Sequence, residues 1–209
     1  MLEQNYAKIE HELPLIPLRG LAIFPYMILN FDVGRDVSLK ALDEAMLKDE
    51  LVFLTSQKKA EVDEPTEEDF YHIGTVCKVK QMIKLPGETV RVLVEGLSRG
   101  SIKEVKLENG YYNAKIEEIV FDEENAQEDP ELEAYVRNVF DVFEEYITIG
   151  NRTSPEILIS LSETENIDRF VDTVAANIYL KPEQKQQVLE TFDLKERLEL
   201  VYKLSLIHI

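Results

Sequence analysis

The sequence contains no tryptophan, one cysteine and three histidines among its 209 residues. A lone thiol, Cys77, closes no internal disulfide, so a reducing, cytoplasmic setting is the expectation. His11, His72 and His208 lie far apart and none has a second His or Cys at ligand spacing, which argues against a zinc site. Basic residues are scarce: 23 Lys and Arg stand against 41 Asp and Glu, a formal charge of −18. Neutralising phosphates needs the opposite surplus, so the charge argues against nucleic acid as a partner. No apolar run reaches the ~18 residues of a membrane span. Met1 to Glu12 carries Glu3, Glu10 and Glu12 and has no apolar stretch of the kind a signal peptide uses. Neither G-x-x-x-x-G-K-[ST] nor G-x-G-x-x-G occurs, so no phosphate-cradling loop is expected.

What is present is enough for a core. Hydrophobic residues make up 44% of the chain, too many for a disordered acidic polymer. The charge is uneven. Residues 1–116 hold 15 bases and 19 acids, a net of −4, whereas residues 117–209 hold 8 and 22, a net of −14. The residue pattern changes at the same place, which predicts two subdomains, 1–118 and 119–209.

The first part reads as strand. Leu13 to Leu18 is apolar, and its two prolines predict an edge strand or a strand start. Leu21 to Phe31 is a second apolar stretch, bent at Pro25. Asp36 to Asp49 has helical spacing with Leu39, Leu42 and Met46 on one face. Leu51 to Leu54 predicts a short buried strand, and Ala60 to His72, with six acids and no base, a loop. From Thr75 to Leu85 the residues alternate, with Cys77, Val79, Gln81, Ile83 and Leu85 on one face and Val76, Lys78, Lys80, Met82 and Lys84 on the other. Pro86-Gly87-Glu88 turns the chain back into a strand lined by Val90, Val92 and Val94. Gly96 and Gly100 predict bends or bulges. Asn109-Gly110 predicts a tight turn joining Ser101–Leu107 to Tyr111–Phe121. About six strands with one inserted helix suggest a small, partly closed barrel.

The second part reads as helix. Asp122 to Pro130 is an acidic connector. Leu132, Tyr135, Val136, Val139, Phe140, Phe143, Tyr146 and Ile147 then recur at three and four residues, a helix that Gly150-Asn151 ends. Ser154-Pro155 starts a short helix. Ile167, Phe170, Val171, Val174 and Ile178 define the next, Pro182 opens another that runs to about Phe192, and Asp193 and Glu196 have the layout of a capping box for the last. Four or five helices form a bundle. Leu206-Ile207-His208-Ile209 is apolar and carries no stop signal, which suggests a truncated piece of a longer protein with vector-derived residues at its end.

Catalytic chemistry is hard to find. Cys77 lies on an apolar strand face and reads as a small buried hydrophobe rather than a nucleophile. Glu123-Glu124 and Glu144-Glu145 read as solvated faces. Lys78, Lys80 and Lys84 form a basic strip whose simplest role is pairing with cross-strand acids such as Glu95. The acidic stretches 60–72 and 117–133 read as solubilising.

A resemblance emerges from an ordered set of short motifs. Pro14-Leu15-Ile16-Pro17-Leu18-Arg19-Gly20, Phe24-Pro25-Tyr26-Met27 and Val33-Gly34-Arg35, with Ser38 and Ala41-Leu42, resemble the opening of Lon-type ATP-dependent proteases. Gly74-Thr75-Val76, Leu85-Pro86 and Val94-Glu95-Gly96-Leu97-Ser98-Arg99 continue it, and Thr191 to Leu198 resembles the family's later helical segment. The likeness runs over roughly residues 10–203. It implies an α+β fold, a PUA-like β pseudo-barrel followed by an α-helical bundle. It implies a non-catalytic N-terminal domain that recruits unfolded or degron-bearing proteins and supports oligomer assembly, a hexamer in the whole enzyme and a dimer as an option for the piece. The family's ATPase, with ATP and Mg²⁺, and its Ser–Lys dyad lie beyond this region, so no catalytic residue, metal or cofactor is assigned here.

An unfolded chain offers apolar side chains and unpaired backbone, so a binder needs an apolar patch or a sheet edge. Candidate contacts are Phe24, Tyr26 and Met27 on the second strand, Met82, Leu85 and Pro86 by the hairpin turn, and Arg35, Asp36 and Lys40 at the start of the helix. For each of these, core packing or a solvated helix start is the competing reading. Two other functions are carried beside substrate recruitment: an RNA-binding PUA-like module, and a structural self-association domain.

Overall fold

The computed structural model describes residues 6–121, 130–150 and 156–208. These fall into two compact units that meet in sequence between Val120 and Phe121. The class is α+β, with six strands and six α-helices among the described residues.

The first unit holds β1 (Tyr6–Leu18), β2 (Ile28–Val33), helix α1 (Asp36–Leu47), β3 (Leu51–Ser56), β4 (Ile73–Lys84), β5 (Val90–Glu108) and β6 (Tyr111–Phe121). The strand order is β2-β5-β4-β3-β1-β6, and β5 also pairs with β6. Five strands therefore close into a ring, β5-β4-β3-β1-β6, and β2 hangs on its outside. β5 serves both because it is 19 residues long. Its first half pairs with β2 and its second half with β6.

Phe53 fills the inside of the ring. Its ring lies between Gly74 and Gly100, which face each other across β4 and β5, and a Cβ on either glycine would come within 2.7 Å of it. Leu13, Leu15, Phe70, Val76, Tyr112 and Ile116 complete this interior. A second core lies on the opposite face of β3. There Val52 and Leu54 pack with Cys77, Val79, Val92 and Val94 under α1. The unbroken apolar run of β3 follows from burial on both faces.

Several sequence expectations change here. β1 is no edge strand: it lies between β3 and β6. Pro17 is tolerated because its carbonyl accepts from Arg35, so its main chain faces away from β3 and the missing N–H leaves no gap in that ladder. The second apolar stretch is strand only from Ile28 onward. The buried stripe of α1 is Ser38, Ala41, Leu42 and Ala45, three small residues beside one leucine, and Met46 is exposed. The strict alternation of β4 fails after Val79. Register shifts between Val76 and Cys77 and between Val79 and Gln81 move the next residues to opposite faces. Met82 then packs on the core, while Gln81 and Ile83 face out. The 60–72 stretch contains a 3₁₀ turn at Glu67–Asp69, and Phe70 is buried. Asn109 and Gly110 both have positive φ, as the tight β5–β6 turn requires.

The second unit holds α2 (Pro130–Gly150), α3 (Glu156–Ser162), α4 (Ile167–Asn177), α5 (Pro182–Glu190) and α6 (Leu194–His208). Val139, Phe143, Tyr146 and Ile147 of α2 meet a core built from Phe170, Val171 and Val174, Val188 and Leu189, and Leu198, Val201 and Leu204. Arg197, fully buried, donates to Asp168 at 2.7 Å and Asp172 at 3.2 Å and also to the carbonyls of Thr191 and Phe192. It ties α4 to α6 and to the loop before α6. Asn166 caps α4 by accepting from the Arg169 N–H, and Asp193 caps α6 by accepting from the Glu196 N–H. The acidic connector after Phe121, the Asn151 stop and the Ser154-Pro155 start lie outside the described residues. Among the described residues no helix is long and apolar enough to cross a membrane.

Candidate functional site

An exposed apolar strip of the first unit lies along β2, between a tight turn and a hairpin tip. The turn is Phe24-Pro25-Tyr26-Met27. Met27 N–H donates to the Phe24 carbonyl, Pro25 sits at its second position and Tyr26, at the third, has φ +64°. That is the layout of a type II turn, which favours Gly or Asn where Tyr26 stands. The turn is held onto β5. Tyr26 N–H donates to the Gly96 carbonyl at 2.8 Å, and Gly96 N–H donates to the Met27 carbonyl at 2.9 Å. A Cβ at position 96 would fall 2.2 Å from the Phe24 carbonyl oxygen, so only glycine permits this approach. Thr75 adds a hydroxyl donor to the Ile23 carbonyl. The sequence places Gly96 at a bulge, and the structure shows what the bulge holds.

From the turn, β2 runs antiparallel to β5 with Ile28 opposite Glu95 and Val33 opposite Val90. Six residues at ~3.3 Å each separate the turn from the hairpin end by roughly 20 Å. Leu29 and Phe31 pack on the core, whereas Ile28, Asn30 and Asp32 face solvent. Across the three strands the outer face reads Ile28, Glu95 and Lys78, then Asn30, Leu93 and Gln81, then Asp32, Arg91 and Ile83. Its charges are matched. Arg91 donates to both oxygens of Asp32 at 2.7 and 2.9 Å, Lys80 to Glu95 at 2.8 Å, and Lys78 lies 3.7 Å from Glu50. The hydrogen bond from Arg91 lowers the Asp32 pKa and raises that of Arg91. The basic strip is thus a solvent face with cross-strand acids.

The nine candidate residues separate into three groups. Phe24 is fully buried and cannot offer its ring to a partner in this conformation, while Met27 and Met82 are half-buried against the core beneath β2. Tyr26 and Pro86 are exposed, and Leu85 is partly so, its N–H closing the hairpin loop on the Thr89 carbonyl. Arg35 turns inward: it donates to Gln57 at 2.8 Å and to the Pro17 carbonyl, and burial lowers its pKa. Asp36 and Lys40 pair with each other at 2.7 Å, with Lys40 lying over Gly110. The structure thus brings Tyr26 and Met27 to one end of β2 and Met82, Leu85 and Pro86 toward the other.

Residues that sequence reasoning missed are Ile28, Ile83 and Leu97, all exposed, with Ile28 the most open at 63%. The alternation in Ile28-Leu29-Asn30-Phe31-Asp32-Val33 was a signal for Ile28. Ile83 was hidden by the bulge. Cys77 is buried, and burial raises its thiol pKa, so it is a packing residue. Among the described residues no cluster of His, Cys, Asp and Glu is arranged to hold a metal.

The family model described as the ATP-dependent protease La (LON) substrate-binding domain matches residues 12–205. This chain belongs to the Lon substrate-binding domain family. The Lon protease of Clostridioides difficile (strain 630) is 71% identical over 207 residues, 98% of this chain and 26% of that protein. Lon protease 1 of Bacillus subtilis (strain 168) is 41% identical over 194 residues, covering 93% of the chain and 25% of the relative. The chain therefore spans about a quarter of the length of these relatives. Among solved structures, the N-terminal domain of the Mycobacterium avium complex Lon protease superposes with a TM-score of 0.74 at 20% identity, covering 95% of this chain and 100% of that one. The Lon N-terminal domain protein from Xanthomonas campestris gives 0.61 at 14% identity, with 90% and 95% covered. At such identities these two speak to the fold, and they match the Lon N-terminal architecture expected from the motifs.

Proposed function

We propose that this Lon-family domain recruits unfolded or degron-bearing protein segments for an ATP-dependent serine protease and takes no part in bond cleavage. Its membership of the substrate-binding domain family carries this reading. The exposed apolar residues Tyr26, Ile28, Leu97 and Ile83, set among internally neutralised charges, supply a surface of the kind an unfolded chain prefers. In this proposal ATP, Mg²⁺ and the catalytic dyad belong to the larger remainder of the parent protein, the setting is the cytoplasm, and the domain also supports assembly of the oligomer.

The test compares the parent protease with a form lacking residues 1–209. Degradation of an unfolded protein should fall sharply, while cleavage of a short peptide that needs no recruitment should persist if the oligomer still forms. Unaltered turnover of the unfolded protein would overturn the proposal. Size-exclusion chromatography with light scattering on both forms reads the assembly role separately.

A further inference from the structure

Among the described residues β2 pairs with β5 alone, whereas β1, β3, β4 and β6 each have two partner strands and β5 has three. The main chain along its outer side is therefore open. The phase of that side is set by the turn, where the Met27 carbonyl accepts from Gly96 N–H. In an antiparallel ladder the residues alternate between facing the partner strand and facing away. Met27, Leu29, Phe31 and Val33 thus direct their main chain to β5, and Ile28, Asn30 and Asp32 direct theirs outward. The open side presents three N–H donors and three carbonyl acceptors, repeating every two residues, about 6.6 Å.

Natural edge strands are usually blunted by lysines, prolines or inward charges. Ile28-Leu29-Asn30-Phe31-Asp32-Val33 has neither lysine nor proline, and its one charge is already held by Arg91. The edge is also kept in place at both ends, by the Gly96 clamp at one and by the Val33–Val90 pair at the other.

We propose that the open edge of β2 takes up an extended polypeptide segment as an added strand, so that recruitment reads the main chain of the substrate first and its side chains second. This rests on the substrate-recruiting function proposed above. The complement of three donors and three acceptors at two-residue spacing is another strand. An unfolded protein supplies one, whereas a folded protein has its strands paired. Ile28 favours an apolar side chain beside it, and the Asp32–Arg91 pair accepts a polar one. A second copy fits less well. Symmetric antiparallel pairing centred on Asn30 would set Asp32 of one copy against the exposed Ile28 of the other.

The test uses the 209-residue chain and, as probe, a fluorescent peptide of alternating valine and threonine, with a proline-interrupted version as control. Amide exchange followed by NMR should slow about tenfold or more at Ile28, Asn30 and Asp32 on saturation with the peptide, with Leu29 and Phe31 unchanged. The interrupted peptide should bind at least about tenfold more weakly. Asn30→Pro removes an outward N–H and leaves the β5 ladder intact, so it should lose binding to a similar degree with its melting temperature retained. Asn30→Lys serves if the proline variant misfolds. Equal binding of both peptides, or loss of binding on Ile28→Ser but not on Asn30→Pro or Asn30→Lys, would overturn strand addition and leave recruitment standing. So would protection of the same three amides by concentrated protein alone, which would assign the edge to a second copy. Failure to bind either the peptide or a chemically denatured protein would count against recruitment itself.

Discussion

Gly96 illustrates how much one missing side chain controls. The Phe24 carbonyl lies where its Cβ would be, and the two hydrogen bonds that hold the Pro25 turn both end on this residue. Gly96→Ala must push the turn away from β5, and it should cost about 2 kcal/mol or more in urea unfolding. A cost within about 0.5 kcal/mol would mean the turn is not clamped as described. Arg197 is the corresponding residue of the helical unit. A lone buried guanidinium faces two buried carboxylates there. Arg197→Met leaves Asp168 and Asp172 buried without that partner and should destabilise the unit by about 3–5 kcal/mol. Adding Asp168→Leu and Asp172→Leu should restore much of the loss, which thermal melts of the two variants would reveal. Neither role is visible in the sequence. Arg197 reads there as one charge on a capped helix, and only the meeting of α4 with α6 makes it a core residue.

At the scale of elements, the β5–β6 hairpin and its neighbour β1 carry an exposed ladder of charges. Lys106 and Lys115 hold the Glu104 pKa below the ordinary carboxylate value, and Lys8 and Lys103 do the same for Glu117. A carboxylate with a lowered folded pKa adds stability above its unfolded pKa and loses that contribution as pH falls through the folded one. The melting temperature should therefore hold from neutral pH to about 5 and decline below about 4. Substituting Gln for both Glu104 and Glu117 should flatten that decline modestly, because exposed pairs contribute little each. Equal acid sensitivity of the substituted protein would remove the hairpin as a cause. Element types were legible in the sequence wherever a period ran undisturbed, as in α2, α4 and the Val90-Val92-Val94 strand. They were lost where a bulge reset the phase. Lys80 and Gln81 show no local sign of it, since the register of β4 is chosen by its pairing with β5.

At the scale of the whole molecule, most of the excess negative charge lies in the helical part, and the sheet unit pairs its charges across strands. Recruitment through β2 should then depend weakly on salt. Raising NaCl from about 0.05 to about 0.5 M, which shortens the screening length about threefold, should change binding of the Val-Thr peptide by less than about threefold. A loss of tenfold or more would place the interaction on charge instead, and the −18 total would become central to it.

Composition and local pattern alone determined the α+β class and the burial of Cys77, because these depend on residue type and on periods a few residues long. The ordered motifs were enough to place the chain in its family. Tertiary structure decided the rest. Ring closure depends on β5 reaching both β4 and β6, a pairing between segments far apart in sequence. β2 joins that sheet through β5 alone, so its outer main chain is left open by the pairing of distant segments and not by anything local in its own sequence.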